Sequence, residues 1–228
     1  MSELWQGLVR AIELIITLDP EVMEITGRSL GISVSACLFS ALMAVPLGSL
    51  IHFYSFPGKR LLISTIQTFF SLPTVLVGLL VFLFFSRSGM FGGLNLMFTP
   101  TLMVIGQTIL VLPLMTGLII SALNGIDKGI TETALALGAS RNQTAVLLLR
   151  ESRYAVMTAF ILGFGRAISE VGLALMIGGN IRGYTRTLTT SISLQTNLGE
   201  IELSLALGMI LLGIALVINI LLNRLQQR

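Results

Sequence analysis

Five stretches of this chain, 29–50, 61–85, 101–121, 155–177 and 203–222, are long, apolar and almost free of charge. Each meets the roughly 20 residues that a helix needs to cross the hydrocarbon layer of a membrane. Composition agrees: 54 % of the 228 residues are hydrophobic and 11 % charged, where a soluble domain carries about 25 % charged side chains. So few charges could not cover a soluble surface. The expected class is therefore an all-α integral membrane protein with five spans. Pro46, Pro73 and Pro113 fall inside three of them, which bundled membrane helices tolerate when neighbours satisfy the freed carbonyl. Glycine is abundant, at 23 residues, as close helix packing in lipid permits.

The segment 4–18 differs from the spans. Trp5, Arg10 and Glu13 interrupt it and Asp19-Pro20 ends it, so it reads as a helix lying at the membrane interface. No cleavable signal is expected, because the N-terminus lacks a basic cluster and a small-residue cleavage site. The reading divides the chain into an N-terminal interfacial segment (1–28), a membrane domain (29–222) and a tail (223–228). Lys and Arg near the span ends favour one set of connections by eight to five, and basic residues collect on the cytoplasmic side. That bias places the C-terminus and the 122–154 loop in the cytoplasm of a multi-pass cell-membrane protein. The N-terminus and the 178–202 loop then lie outside. The net charge of +3 is too small to point to nucleic acid. Cys37, the single cysteine, reads as a packing residue, and His52 has no companions suited to a metal.

The loop "ETALALGASRNQTAVLLLRE", 132–151, is the longest polar connection. Glu132, Ala136 and Ser140 recur every four residues, so on a continuous helix they share one face. Ala134, Gly138 and Ala145 add small side chains, which let another backbone come close. A mere connector between spans need not be so long or so poor in bulky residues over its first half. Contact with a partner protein explains it better.

Here the residues carry a pattern. Glu132, Thr133, Ala134 and Gly138 resemble the first half of the E-A-A-x-x-x-G loop of permease subunits in ATP-driven importers, with threonine for one alanine. Leu148, Arg150 and Glu151 depart from its second half. Arg166, Ala167, Glu170 and Gly172 resemble the corresponding region of molybdate and sulfate permeases, and "GGNIRGYTRTLTT" (178–190) looks most like tungstate permeases. With "FPGKRLLIS", the resemblance covers nearly everything from about residue 20 onward. It implies a type I ATP-binding-cassette importer core working as a homodimer, with two copies of a separate ATPase and an extracytoplasmic oxyanion-binding protein. ATP and Mg would be bound by the ATPase, and Glu132, Thr133, Ala134, Gly138 and Ala139 would contact it.

No phosphate loop G-x-x-x-x-G-K-[ST] occurs in the sequence, so the chain cannot bind ATP by that route. Arg166 and Glu170, costly in hydrocarbon, are four residues apart and can pair; they either fix neighbouring spans or lie near the path. Ser64, Gln67, Ser71 and Thr74, spaced 3, 4 and 3, would form one polar stripe on a helix. Such a stripe suits a translocation path or helix-to-helix hydrogen bonds, as do Gln107 and Thr108. At the far end of the fourth span, Gly178, Gly179 and Gly183 permit unusual backbone shapes. Beside them lie Asn180, Arg182 and Arg186 of the outer loop, the two arginines adding positive charge where an anion would arrive; the resemblance implies an outer gate or a contact for the binding protein there. The expected cargo is an oxyanion, tungstate first, molybdate or sulfate as the alternative. A membrane enzyme would need a cluster of catalytic groups at one interface. A secondary transporter would have to explain the partner-like loop and the lack of an obvious inverted repeat.

Overall fold

In a computed structural model describing residues 2–226, all regular elements are helical. Arg228 of the charge reading, and with it the end of the 223–228 tail, lies outside the described residues, as do the side chains of Lys128 and Arg141. Helix α1 spans Ser2–Ile16. It is too short to cross a bilayer, and it rests on the last helix, where Gly7 lies beside Leu205 and Arg10 approaches Glu202 at 3.9 Å. Trp5, Val9, Ile12 and Ile16 remain exposed along it, the stripe expected of a helix lying along a membrane.

Helix α2, Pro20–Phe53, is a single unit of 34 residues. Asp19 caps it by accepting from Glu21 N at 3.0 Å and Val22 N at 3.1 Å, with Pro20 in the first turn, where a missing N–H costs nothing. The chain turns between α1 and α2 at Leu18, φ 52°. No helix break occurs at 28–29, so α2 runs from the segment read as interfacial straight into the first span.

The second apolar stretch is not one straight helix. Helix α3 (Lys59–Thr68) passes through a short 3-10 turn at Phe69–Ser71, and α4 (Thr74–Phe85) follows at 100° to it. Pro73 favours the break locally: the residue before a proline is pushed out of the helical region, and Leu72 sits at φ −59°, ψ 131°. Helix α5 (Pro100–Asn124) contains Pro113 and continues through it. The connection 122–154 holds α6 (Lys128–Ala136) and α7 (Arg141–Glu151). The fourth stretch is again two helices, α8 (Arg153–Ile168) and α9 (Gly172–Gly178), bent by 61°. Then come α10 (Leu188–Leu198) and α11 (Ile201–Gln226). Among the described residues three helices are long and apolar enough to cross a membrane, or up to five spans if each bent pair counts as one.

Helices α2 and α5 form the centre. Ser40 donates to the Thr108 carbonyl at 3.2 Å, and Thr108 to that of Ala36 at 3.4 Å. Such bonds between membrane helices average about 0.6 kcal/mol each. Cys37, Val111, Met115 and Ala159 join α2, α5 and α8, with Leu148 of α7 packed into the same core. Ile32, Val81, Leu102 and Ile177 join α2, α4, α5 and α9. Val22, Leu188 and Leu207 tie the start of α2 to α10 and α11. The bundle thus has two ends: the start of α2 lies with the 178–187 loop, and the end of α2 with α6 and α7.

Candidate translocation path and coupling surface

The two bent pairs meet at their bends. Arg166 Nη1 lies 3.0 Å from Glu170 Oε2, but α8 has ended at Ile168, so the pair closes across a helix end rather than along a helix face. Glu170, 3 % exposed, has two further partners. Its Oε1 accepts from Leu173 N at 3.0 Å, satisfying one of the free donors at the start of α9. Its main-chain carbonyl accepts from Thr189 Oγ1 at 2.7 Å. A Cβ placed on Gly172 would stand 3.2 Å from Thr74 Oγ1 and 3.6 Å from Glu170 Oε1. Thr74, Arg166 and Glu170 of the expected path are therefore brought together.

Ser64, Gln67 and Ser71 are not brought to that junction by a common helix. The bend at Pro73 separates them from Thr74, so the series does not run as one stripe; proline overrides the spacing. Ser64, Gln67 and Ser71 are all exposed, together with Thr65 and Thr68, and no residue of α3 is buried. Gln107 is instead buried in α5, its Oε1 without a hydrogen-bond partner among the described residues, and Thr108 serves the α2–α5 contact.

The 178–187 loop is tightly built. Gly179 and Gly183 have φ of 70° and 73° and Asn180 of 51°. Thr185 Oγ1 donates to the Gly178 carbonyl at 2.5 Å and accepts from Ile181 N at 2.9 Å. Asn180 Nδ2 donates to the Thr190 carbonyl at 3.3 Å. The arginines are paired: Arg182 meets Glu21 at 2.6 Å and Arg186 meets the other Glu21 oxygen at 3.6 Å. Arg28 donates to the Arg186 carbonyl at 3.1 Å and pairs with Glu24. Of the two positive charges expected of Arg182 and Arg186, one is thus offset by Glu21. Nothing in the sequence pattern marked Glu21 or Thr189 as partners.

At the other end, the loop 132–151 is two helices. Helix α6 stops at Ala136 and Ser140 begins α7, so Glu132, Ala136 and Ser140 do not share one helical face. Gly138, at φ 84°, ends α6: its N–H bonds the Leu135 carbonyl and that of Ala139 the Ala134 carbonyl, each at 3.0 Å. This pairing is the Schellman closure, which needs a left-handed residue. A Cβ on Gly138 would meet nothing within 4 Å, so the glycine is required by the turn and not by a close neighbour. Ser140 and Gln143 cap α7 reciprocally, at 3.3 and 2.8 Å. Ala134 is buried and Ala139 partly so, while Glu132 and Thr133 are exposed. Leu137 projects with 83 % of its surface free.

Residues 44–228 match the family described as binding-protein-dependent transport system inner membrane component. The chain belongs to this family. Among its relatives, a probable anion ABC transporter permease protein of Haloferax volcanii is 41 % identical over 212 residues, covering 91 % of each chain. The tungstate uptake system permease protein TupB of Peptoclostridium acidaminophilum is 37 % identical over 227 residues, covering all of both. The fold is similar to that in a bacterial ABC transporter involved in the import of the acidic polysaccharide alginate, with a TM-score of 0.74 at 16 % identity, over all of this chain and 90 % of that one. As a transport-system membrane component, the chain has no ATP site of its own, in keeping with a sequence that lacks the phosphate loop. The family match begins inside α2, so α1 and the Glu21 end of α2 precede it.

Proposed function

We propose that this chain is the permease subunit of an ATP-driven importer carrying an oxyanion, tungstate in the first place, into the cytoplasm. The observation that carries the reading is the exposed polar row of α3. Ser64, Gln67 and Ser71 are exposed on α3 and the 3-10 turn that follows it, in an apolar membrane protein where lipid offers their side chains no hydrogen bonds. A water-filled path between two copies of the chain satisfies them. Hydroxyl and amide groups replace part of an anion's hydration without holding it by a fixed charge, and a conducting site must release what it binds. In this reading Thr74 and the Arg166–Glu170 junction border the path at the bends.

The exposed Glu132, Thr133 and Leu137 with Gly138 and Ala139 form the surface for a cytoplasmic ATPase, two copies of which bind ATP and Mg. The 178–187 loop, with Asn180, Arg182 and Arg186, faces outside and receives an oxyanion-binding protein. The two relatives described as an anion permease and a tungstate permease support the cargo class. Molybdate or sulfate is the second reading, favoured by Arg166, Ala167, Glu170 and Gly172. Uptake into vesicles containing this chain and its ATPase, with saturating binding protein and tungstate, molybdate or sulfate, tests the assignment. ATP-dependent uptake of tungstate ahead of the other two is expected. Uptake of none of them, or uptake without ATP, overturns it.

A further inference from the structure

The 100° bend between α3 and α4 opens a wedge of about 1000 Å³ against α2 and α5, at the upper end of the usual range for ligand pockets. Its walls are almost wholly apolar, with Leu50 from α2, Ile66 from α3, Phe69 from the 3-10 turn, Leu80 from α4 and Ile109 and Pro113 from α5. Three of these, Leu50, Leu80 and Ile109, are about half exposed, so the wedge is open at its side. Its rim has a different character. Ser55 and Phe56 line the wedge and also a smaller hollow formed with Lys59 and Arg60. Tyr54 stands at the same edge, and tyrosine is favoured where hydrocarbon meets water. Lys59 Nζ is held there by the carbonyls of His52 and Tyr54, at 2.8 and 3.2 Å, while Arg60 is exposed.

We infer that this wedge is a binding site for an anionic phospholipid, its acyl chains against Ile66, Leu80 and Ile109 and its phosphate at Lys59 and Arg60. The charge distribution selects the occupant. A helix of a second copy could fill the apolar part but brings no anion to Arg60 or to the remaining N–H of Lys59 at the mouth, whereas an anionic headgroup joined to apolar tails matches both parts. The guanidinium of Arg60 suits phosphate oxygens, which it can bind in a bidentate manner. Occupied in this way, the wedge holds α3 and α4 at their angle from the side opposite the exposed polar row. A lipid at this position therefore supports the bend itself.

The test uses the full chain in its purified complex, incubated with phosphatidylglycerol or phosphatidylcholine and read by native mass spectrometry. The wild type retains phosphatidylglycerol in preference to phosphatidylcholine. Arg60→Gln lowers phosphatidylglycerol retention about fivefold, the effect of one basic side chain at a lipid surface, and leaves phosphatidylcholine unchanged. Ile109→Trp, which fills the wedge, lowers both. Equal retention of the two lipids by the wild type, or no change in Arg60→Gln, overturns the assignment. So does copy-to-copy crosslinking through Leu80→Cys, which puts a second copy in the wedge; Cys37 is fully buried and does not compete in that reaction. Arg60 is exposed and outside the core, so its variant keeps the test decisive even where Ile109→Trp does not fold.

Discussion

Arg166 and Glu170 meet at 3.0 Å although the helix carrying Arg166 ends before Glu170 is reached. The carboxylate closes the bend. One oxygen holds the arginine and the other holds the first turn of α9, so Glu170 joins two helices while Arg166 only neutralises it.

That asymmetry predicts unequal single variants. Stranding one buried charge costs about 3–5 kcal/mol. Arg166→Leu strands the nearly inaccessible Glu170, while Glu170→Leu strands an arginine that is one-third exposed and also removes the cap of α9. The double variant R166L/E170L should melt at a higher temperature than the worse single variant. Strictly additive losses in thermal melting and vesicle uptake would show that the two side chains act independently.

Gly138 yields a second prediction, since its left-handed backbone costs other residues about 1–2 kcal/mol. Gly138→Val should lower ATPase-coupled uptake, while Gly138→Asn, which tolerates that conformation, should keep most of it. Because nothing lies within 4 Å of a Cβ there, side-chain volume should matter less than backbone preference. Equal loss in the two variants, measured with intact membrane insertion, points instead to a close contact with a partner.

Gly78 tests how α4 sits on α9. A methyl group at this position would stand 3.0 Å from Leu173 Cα, a backbone atom that cannot rotate away. Gly78→Ala should therefore destabilise the chain by about 1–3 kcal/mol, the usual cost of overpacking. Gly213→Ala, whose Cβ meets nothing within 4 Å, is the control. Indistinguishable melting of both variants in detergent would remove the contact as a determinant of the α4–α9 angle.

Glu21 predicts the behaviour of the 178–187 loop. Arg182 is 74 % exposed, and exposed ion pairs contribute about 0–1 kcal/mol, so Arg182→Gln should change stability little. Glu21→Gln removes the partner of both arginines and leaves more net positive charge at this end. In the oxyanion reading it should speed initial uptake at low ionic strength and lose that advantage in high salt, which screens exposed charges. A salt-independent change, or a reversed preference between tungstate and molybdate, would place Glu21 in selectivity rather than in charge balance.

What the sequence alone determined is what neighbouring residues decide among themselves. Apolar runs of span length, the polar loop between two of them and the i, i+4 approach of Arg166 to Glu170 are short-range properties, and all three are present in the structure. Tertiary packing decided which prolines became bends. Pro46 and Pro113 lie in α2 and α5, which pack along each other and stay continuous; Pro73 joins segments with different neighbours, α3 on α5 and α4 on α9, and there the chain turns by 100°. Packing likewise brought Glu21 to Arg182, 161 positions away, and Thr189 to the Glu170 carbonyl, 19 positions away. Hydropathy and helical spacing are properties of a few consecutive residues, whereas an ion pair between distant segments exists only once three-dimensional closure has put their helices side by side.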